Sequence, residues 1–277
     1  FVPEQFSPPP FPGLQIIKIN GKRAPVSAID GEGNDILPFI EKKDDKYLSD
    51  FKTGKYQGIT EMRDIVIDAG ESGNNPDLYL FMTGWIFPTD ASINFAMAQS
   101  DLPESHPPVI QAVNEKGEWE TIADNIGFPM GKDKTVIVNL SGKFITKDHR
   151  LRIRTNMQIY WDEIFFASSV PGIPAVTTVI DPLRADLHYR GFSKLYRKGG
   201  RYGPHWFDYS SVEKGPKWRD LTGNYTRFGD VLPLLTKPDN QYAITNAGDE
   251  TTIEFSEKDL PALPEGWKRD FLIHSVG

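Results

Sequence analysis

Six consecutive residues, Asp30-Gly31-Glu32-Gly33-Asn34-Asp35, set side-chain oxygens at alternate positions of a glycine-rich loop, a pattern that can wrap a hard cation such as calcium. An EF-hand count from Asp30 places Glu41 at the twelfth position. The sixth position is Asp35 rather than glycine, Pro38 falls inside the would-be loop, and no flanking helices are apparent. Asp30, Glu32, Asn34 and Asp35 are thus candidates for a structural calcium site, with a solvated turn as the alternative. A second group of residues suits stacking. The run from His188 to Lys198, with Tyr189, Arg190, Phe192 and Tyr196 inside it, interleaves bases with aromatics. Such a surface can grip single-stranded nucleic acid or sugars, or form an ordered loop in which Arg and Lys stems cover packed rings. Trp85 and Trp161, two of six tryptophans, could offer flat rings to the apolar face of a pyranose; their strand-like surroundings make core packing the alternative.

Other chemistry lacks support. The histidines, His106, His149, His188, His205 and His274, form no pair at zinc-ligand spacing. There is no Gly-x-Ser-x-Gly elbow, no phosphate-cradling glycine loop and no cysteine. Asp64 and Asp68 share a strand face, and Asp162 and Glu163 are adjacent carboxylates, yet neighbouring strand residues point to opposite faces, which does not suit glycoside hydrolysis. With 31 Lys and Arg against 38 Asp and Glu, the net charge of −7 argues against nucleic acid as the partner. Haem ligation would want an axial Met or His; Met82, Met97, Met130 and Met157 have no diagnostic spacing.

The elements that must carry these groups are short and β-type. In 277 residues there are 24 glycines and 22 prolines, too much punctuation for a helical protein. Leu78 to Met82, Thr135 to Leu140 and the alternating Leu151-Arg152-Ile153-Arg154-Thr155 read as strands at the spacing of a sandwich or jelly roll. Ala91 to Ala96 also reads as a strand, with apolar residues at alternate positions. No apolar run approaches the ~18 residues of a transmembrane helix.

Asp35-Ile36-Leu37-Pro38-Phe39-Ile40 returns 195 residues later as Asp230-Val231-Leu232-Pro233-Leu234-Leu235, and each copy leads into a further β segment. Asp35 and Asp230 are placed to cap a helical turn. These features predict an all-β chain of tandem, jelly-roll-like β-sandwich units with short helical turns. A Pro-rich arm over 1–13 precedes a first unit over 14–172 and a related second unit over 173–277, which is expected to be cut short. The first residue, Phe1, suggests a processed or excised piece.

Longer motifs carry a resemblance. They are Leu80-Phe81-Met82-Thr83-Gly84-Trp85-Ile86-Phe87-Pro88-Thr89-Asp90, Gly127-Phe128-Pro129-Met130-Gly131-Lys132-Asp133, Ile159-Tyr160-Trp161-Asp162-Glu163-Ile164 and Ala185-Asp186-Leu187-His188-Tyr189-Arg190-Gly191-Phe192-Ser193. Tyr225-Thr226-Arg227-Phe228-Gly229-Asp230-Val231 and Leu263-Pro264-Glu265-Gly266-Trp267 extend them. Together, from about Asp30 onwards, the chain resembles the C-terminal region of bacterial FG-GAP repeat proteins that bear the ASPIC/UnbV label and are similar to cartilage acidic protein. The resemblance implies an exported, extracytoplasmic multidomain protein. The calcium loops of that family's β-propeller have no counterpart here and do not carry over. Expected partners are other proteins of a surface assembly, with a glycan or a surface redox complex as alternatives.

Overall fold

Alternating apolar residues and β-branched side chains take most of this chain into strands, 39% of residues against 9% in helices. The computed structural model describes residues 16–101, 104–130, 133–170, 176–197, 205–215, 222–258, 260–273 and 275. The expected arm over 1–13 and the Pro171-Gly172 junction lie outside them. The chain divides into two compact units, Phe1–Ile173 and Pro174–Gly277.

In the first unit the elements run β1 (Ser27–Asp30), α1 (Leu37–Ile40), β2 (Ile59–Asp68), a 3-10 turn (Gly70–Asn74), β3 (Leu78–Ile86), α2 (Ala91–Ala98), β4 (Val109–Val113), β5 (Trp119–Ala123), β6 (Lys134–Asn139), β7 (Arg150–Met157) and β8 (Ile159–Ser168). Two antiparallel sheets result, one ordered β1-β2-β7-β4-β5 and one ordered β6-β3-β8. Cross-strand registry lines up Ala28, Ile67, Leu151 and Ala112 in one row, with Ile65, Ile153 and Ile110 in the next. These rows share a single core with Leu80, Met82, Ile164 and Phe166 of the other sheet. The alternation in β7 does what its sequence suggests: Leu151 and Ile153 face inward, while one guanidinium nitrogen of Arg154 donates to both carboxylate oxygens of Asp64, at 2.8 and 3.0 Å.

The β6-β3-β8 sheet is also covered on its outer face. Ile17 packs there with Phe81, Phe165 and Ala167, and Phe81 stacks on Phe165 at 4.8 Å. This double coverage explains why β3 and β8 are apolar almost without interruption. The ladder between them slips at one place: Thr83 faces Glu163 but Gly84 faces Trp161, so Asp162 is an extra, bulged residue. The slip lets Ile159 and Trp161 before it, and Ile164 and Phe166 after it, all reach the same core.

One element corrects the sequence reading. Ala91–Ala98 is the helix α2, not a strand. The Asp90 carboxylate accepts the Ile93 amide at 2.8 Å and the Ser92 hydroxyl at 2.6 Å, which supplies the N-cap that the apolar alternation obscured. Phe95, whose side chain would have faced the core of a strand, is 66% exposed.

The second unit contains β9 (Pro182–Tyr189), β10 (Phe192–Arg197), β11 (His205–Glu213), β12 (Gly229–Asp230), α3 (Leu232–Leu235) and β13 (Asp249–Phe255). Its strands form a sheet ordered β12-β9-β13 and the hairpin β10-β11. The repeated hexapeptide adopts the same local structure in both units. Asp35 and Asp230 are not the N-caps themselves, which are Ile36 and Val231, but from one position earlier each accepts the first helical amide, that of Leu37 or Leu232, at 3.0 Å. The Ile36 and Val231 amides each donate at 3.0 Å to an alanine carbonyl, Ala28 in β1 and Ala185 in β9. Ala28 pairs with Ile67, and Ala185 pairs with Ile253. The coverage differs: Ile67 is fully buried, whereas Ile253 is 41% exposed.

Candidate functional site

The expected calcium loop is a turn closed on itself. The Asp30 carboxylate accepts the amides of Glu32 and Asn34 at 2.9 Å and the Asn34 side-chain amide at 2.8 Å. Burial would raise its pKa, but these hydrogen bonds outweigh it and hold the group below the ordinary range. Glu32 pairs with Lys52, and Asp35 is taken up by the Leu37 amide. Among the described residues, no three Asp, Glu or His side chains converge as a cation cage.

Trp85 and Trp161 are 6% and 1% exposed, so neither ring is open to a ligand. Trp161 lies in the core between the sheets, and Trp85 packs on the outer side against Tyr160 and Phe87. The two carboxylates that follow Trp161 also part company. Glu163 pairs with Lys22 at 2.7 Å. Asp162 is wholly buried; one carboxylate oxygen accepts the backbone amides of Asp44, at 3.2 Å, and Asp45, while the other has no partner. Burial first, then the nearby Asp45 and Asp133, push its pKa upward against the pull of those amides.

A raised native pKa means that Asp162 contributes most to stability at acid pH, and that this contribution is lost as pH rises from the ordinary carboxylate value through the native one. Asp162→Asn keeps an acceptor for the two amides without a charge to bury. It is expected to melt higher than the parent at pH 7, by about 1 kcal/mol of stability. The gap should close as pH falls below 4; thermal melts across pH for both proteins measure it.

The His188–Phe192 segment, which runs from the end of β9 to the start of β10, divides between two surroundings. His188 and Arg190 lie on its charged face: the His188 ring lies 3.2 Å from Asp186 and 3.5 Å from Glu250, and Arg190 binds Glu250 at 2.8 Å. Tyr189 and Phe192 instead line an open cleft of about 540 Å³ together with Tyr225, Arg227, Phe228, Asn246 and Asp249. Phe228 and Tyr189 are 52% and 39% exposed.

The cleft has a fixed wall. The Gly248 carbonyl accepts the amides of Arg190 and Gly191, both at 2.9 Å. At φ +88°, a Cβ on Gly248 would stand 2.7 Å from the Tyr189 ring, so only glycine fits behind it. Asp249 accepts the Asn246 amide through one carboxylate oxygen, and Thr226 accepts the Ile244 amide, both at 2.8 Å. Tyr225, Arg227, Phe228, Asn246 and Asp249 were not singled out as binding residues from sequence; the aromatic–basic alternation of Tyr225-Thr226-Arg227-Phe228 was their one signal. None of Met82, Met97, Met130 and Met157 lines this cleft.

Fold and site together define an all-β protein of two units, the second bearing an aromatic cleft with hydrogen-bonding groups on its rim. No protein-family model, curated protein or solved structure matches the chain. Among the described residues no helix is long and apolar enough to cross a membrane.

Proposed function

We propose that this chain is a non-catalytic recognition and assembly module of a larger extracytoplasmic protein of the FG-GAP type, and that it binds glycan through its second unit. The observation that carries this reading is the aromatic cleft. Tyr189, Phe192, Tyr225 and Phe228 offer ring faces, while Asn246, Asp249 and Thr226 stand where sugar hydroxyls would pair. The FG-GAP and extracytoplasmic parts rest on the sequence motifs alone. A panel of soluble oligosaccharides titrated against the whole chain tests the reading. Phe228→Ala is expected to weaken binding about tenfold while leaving the melting temperature unchanged, because that ring is half exposed. Failure of every oligosaccharide to bind would remove the glycan reading.

A protein partner is the second reading, and one feature favours it. Leu183, Ile253 and Phe255 are 66%, 41% and 43% exposed in the β12-β9-β13 sheet. In the first unit the matching rows are closed over by a second sheet. An apolar sheet face of this kind suits assembly.

A further inference from the structure

We infer that the cleft selects acidic sugars, taking a uronic acid with its carboxylate on Arg227; this rests on the glycan reading above. Three other arginines of unit two are committed elsewhere. Arg190 binds Glu250, Arg184 lies 3.8 Å from Glu254, and Arg269 donates to the Pro261 carbonyl at 2.8 Å. Arg227 has no ion-pair or hydrogen-bond partner among the described residues, although it lines the cleft alongside Asp249. Its side chain is exposed, so the guanidinium keeps its full set of donors for an incoming group.

The remaining groups suit the rest of such a ligand. A planar carboxylate matches the donor fork of arginine in two parallel hydrogen bonds, which a neutral hydroxymethyl group cannot do. Asp249 keeps one carboxylate oxygen beyond the bond to Asn246, an acceptor for ring hydroxyls. Asn246 uses its side-chain oxygen on the Ala247 amide at 2.8 Å, which leaves its NH2 as a donor. The rings of Tyr189 and Phe228 supply the apolar faces. The site therefore pairs one cation with one anion, an arrangement that favours a sugar carrying a single acidic group and rejects a densely charged polyanion.

The test compares a galactose oligosaccharide carrying one galacturonate residue with its neutral galactose counterpart of equal length, and with a densely sulfated oligosaccharide, on the whole chain by calorimetric titration. The uronate is expected to bind about tenfold more tightly than both others. Arg227→Gln should bring uronate and neutral sugar to within a factor of two or three with an unchanged melt. Equal binding of uronate and neutral sugar by the parent, tighter binding of the sulfated sugar, or an unchanged preference in Arg227→Gln would each overturn the inference while leaving the glycan reading standing. If no sugar binds at all, the cleft is not a glycan site and both proposals fall.

Discussion

Trp161→Ala is expected to destabilise the first unit by about 3–5 kcal/mol, the usual cost of emptying a large aromatic site in a close-packed core. The ring is 1% exposed and lies among residues of both sheets, where neighbouring side chains have limited freedom to collapse into the void. Chemical denaturation followed by far-ultraviolet circular dichroism measures the loss. The outcome also separates two roles for the same residue. A ring serving as an exposed stacking platform could be removed with a change in stability near zero, whereas a ring at the centre of the sheet packing cannot. Trp161→Phe, which keeps part of the volume, should fall between the parent and the alanine variant.

Gly84→Ala is expected to be nearly as damaging, and for the opposite reason. A Cβ at this position would lie 2.5 Å from the Tyr160 carbonyl oxygen and 2.9 Å from Cε3 of Trp161. The first neighbour is backbone in the middle of a paired strand, so relief requires the ladder to move rather than a side chain to swing aside. Overpacking of this kind costs about 1–3 kcal/mol, and more where the backbone itself must yield. The glycine is required for space and not for an unusual φ. Gly223 is the control: nothing lies within 4 Å of its would-be Cβ, and Gly223→Ala should leave the melting temperature unchanged. Equal losses at both positions would mean that the close approach of β3 to β8 is not what Gly84 serves.

The sheets were largely readable from the chain because β-branched runs such as Thr135-Val136-Ile137-Val138 and the alternation of β7 carry a period that helices do not share. The two short helical turns were readable too, since Asp35 and Asp230 stand at a fixed distance before a proline within the first turn, although each acid sits one position ahead of the N-cap. Helix α2 was not. Ala91-Ser92-Ile93-Asn94-Phe95-Ala96 satisfies both periods, and only the Asp90 cap, a local hydrogen bond, breaks the tie.

The cleft was half readable. Tyr189 and Phe192 stood out by composition, but their partners come from segments about 35 and 55 residues further on, and no periodicity ties Tyr225, Phe228 and Asp249 to them. The orientation of Trp161 was hidden for a different reason. The bulge at Asp162 sets which residues share a face beyond it, and a register slip leaves no mark in a single sequence.

That bulge bears on the strand's tolerance of a change in length as well as on packing. Since Thr83 meets Glu163 and Gly84 meets Trp161, β8 is one residue longer than its ladder needs. Remove Asp162 on paper and the inward series Ile159, Trp161, Ile164 and Phe166 becomes an unbroken alternation with every core position retained. The acid thus occupies an extra position within an otherwise ordinary strand, and its removal leaves the hydrophobic plan on either side unchanged. What such a deletion would forfeit is the oxygen that receives the amides of Asp44 and Asp45. The strand thus has one point at which its length can change by a residue without exchanging its two faces, and the cost falls on how the segment before β2 is anchored.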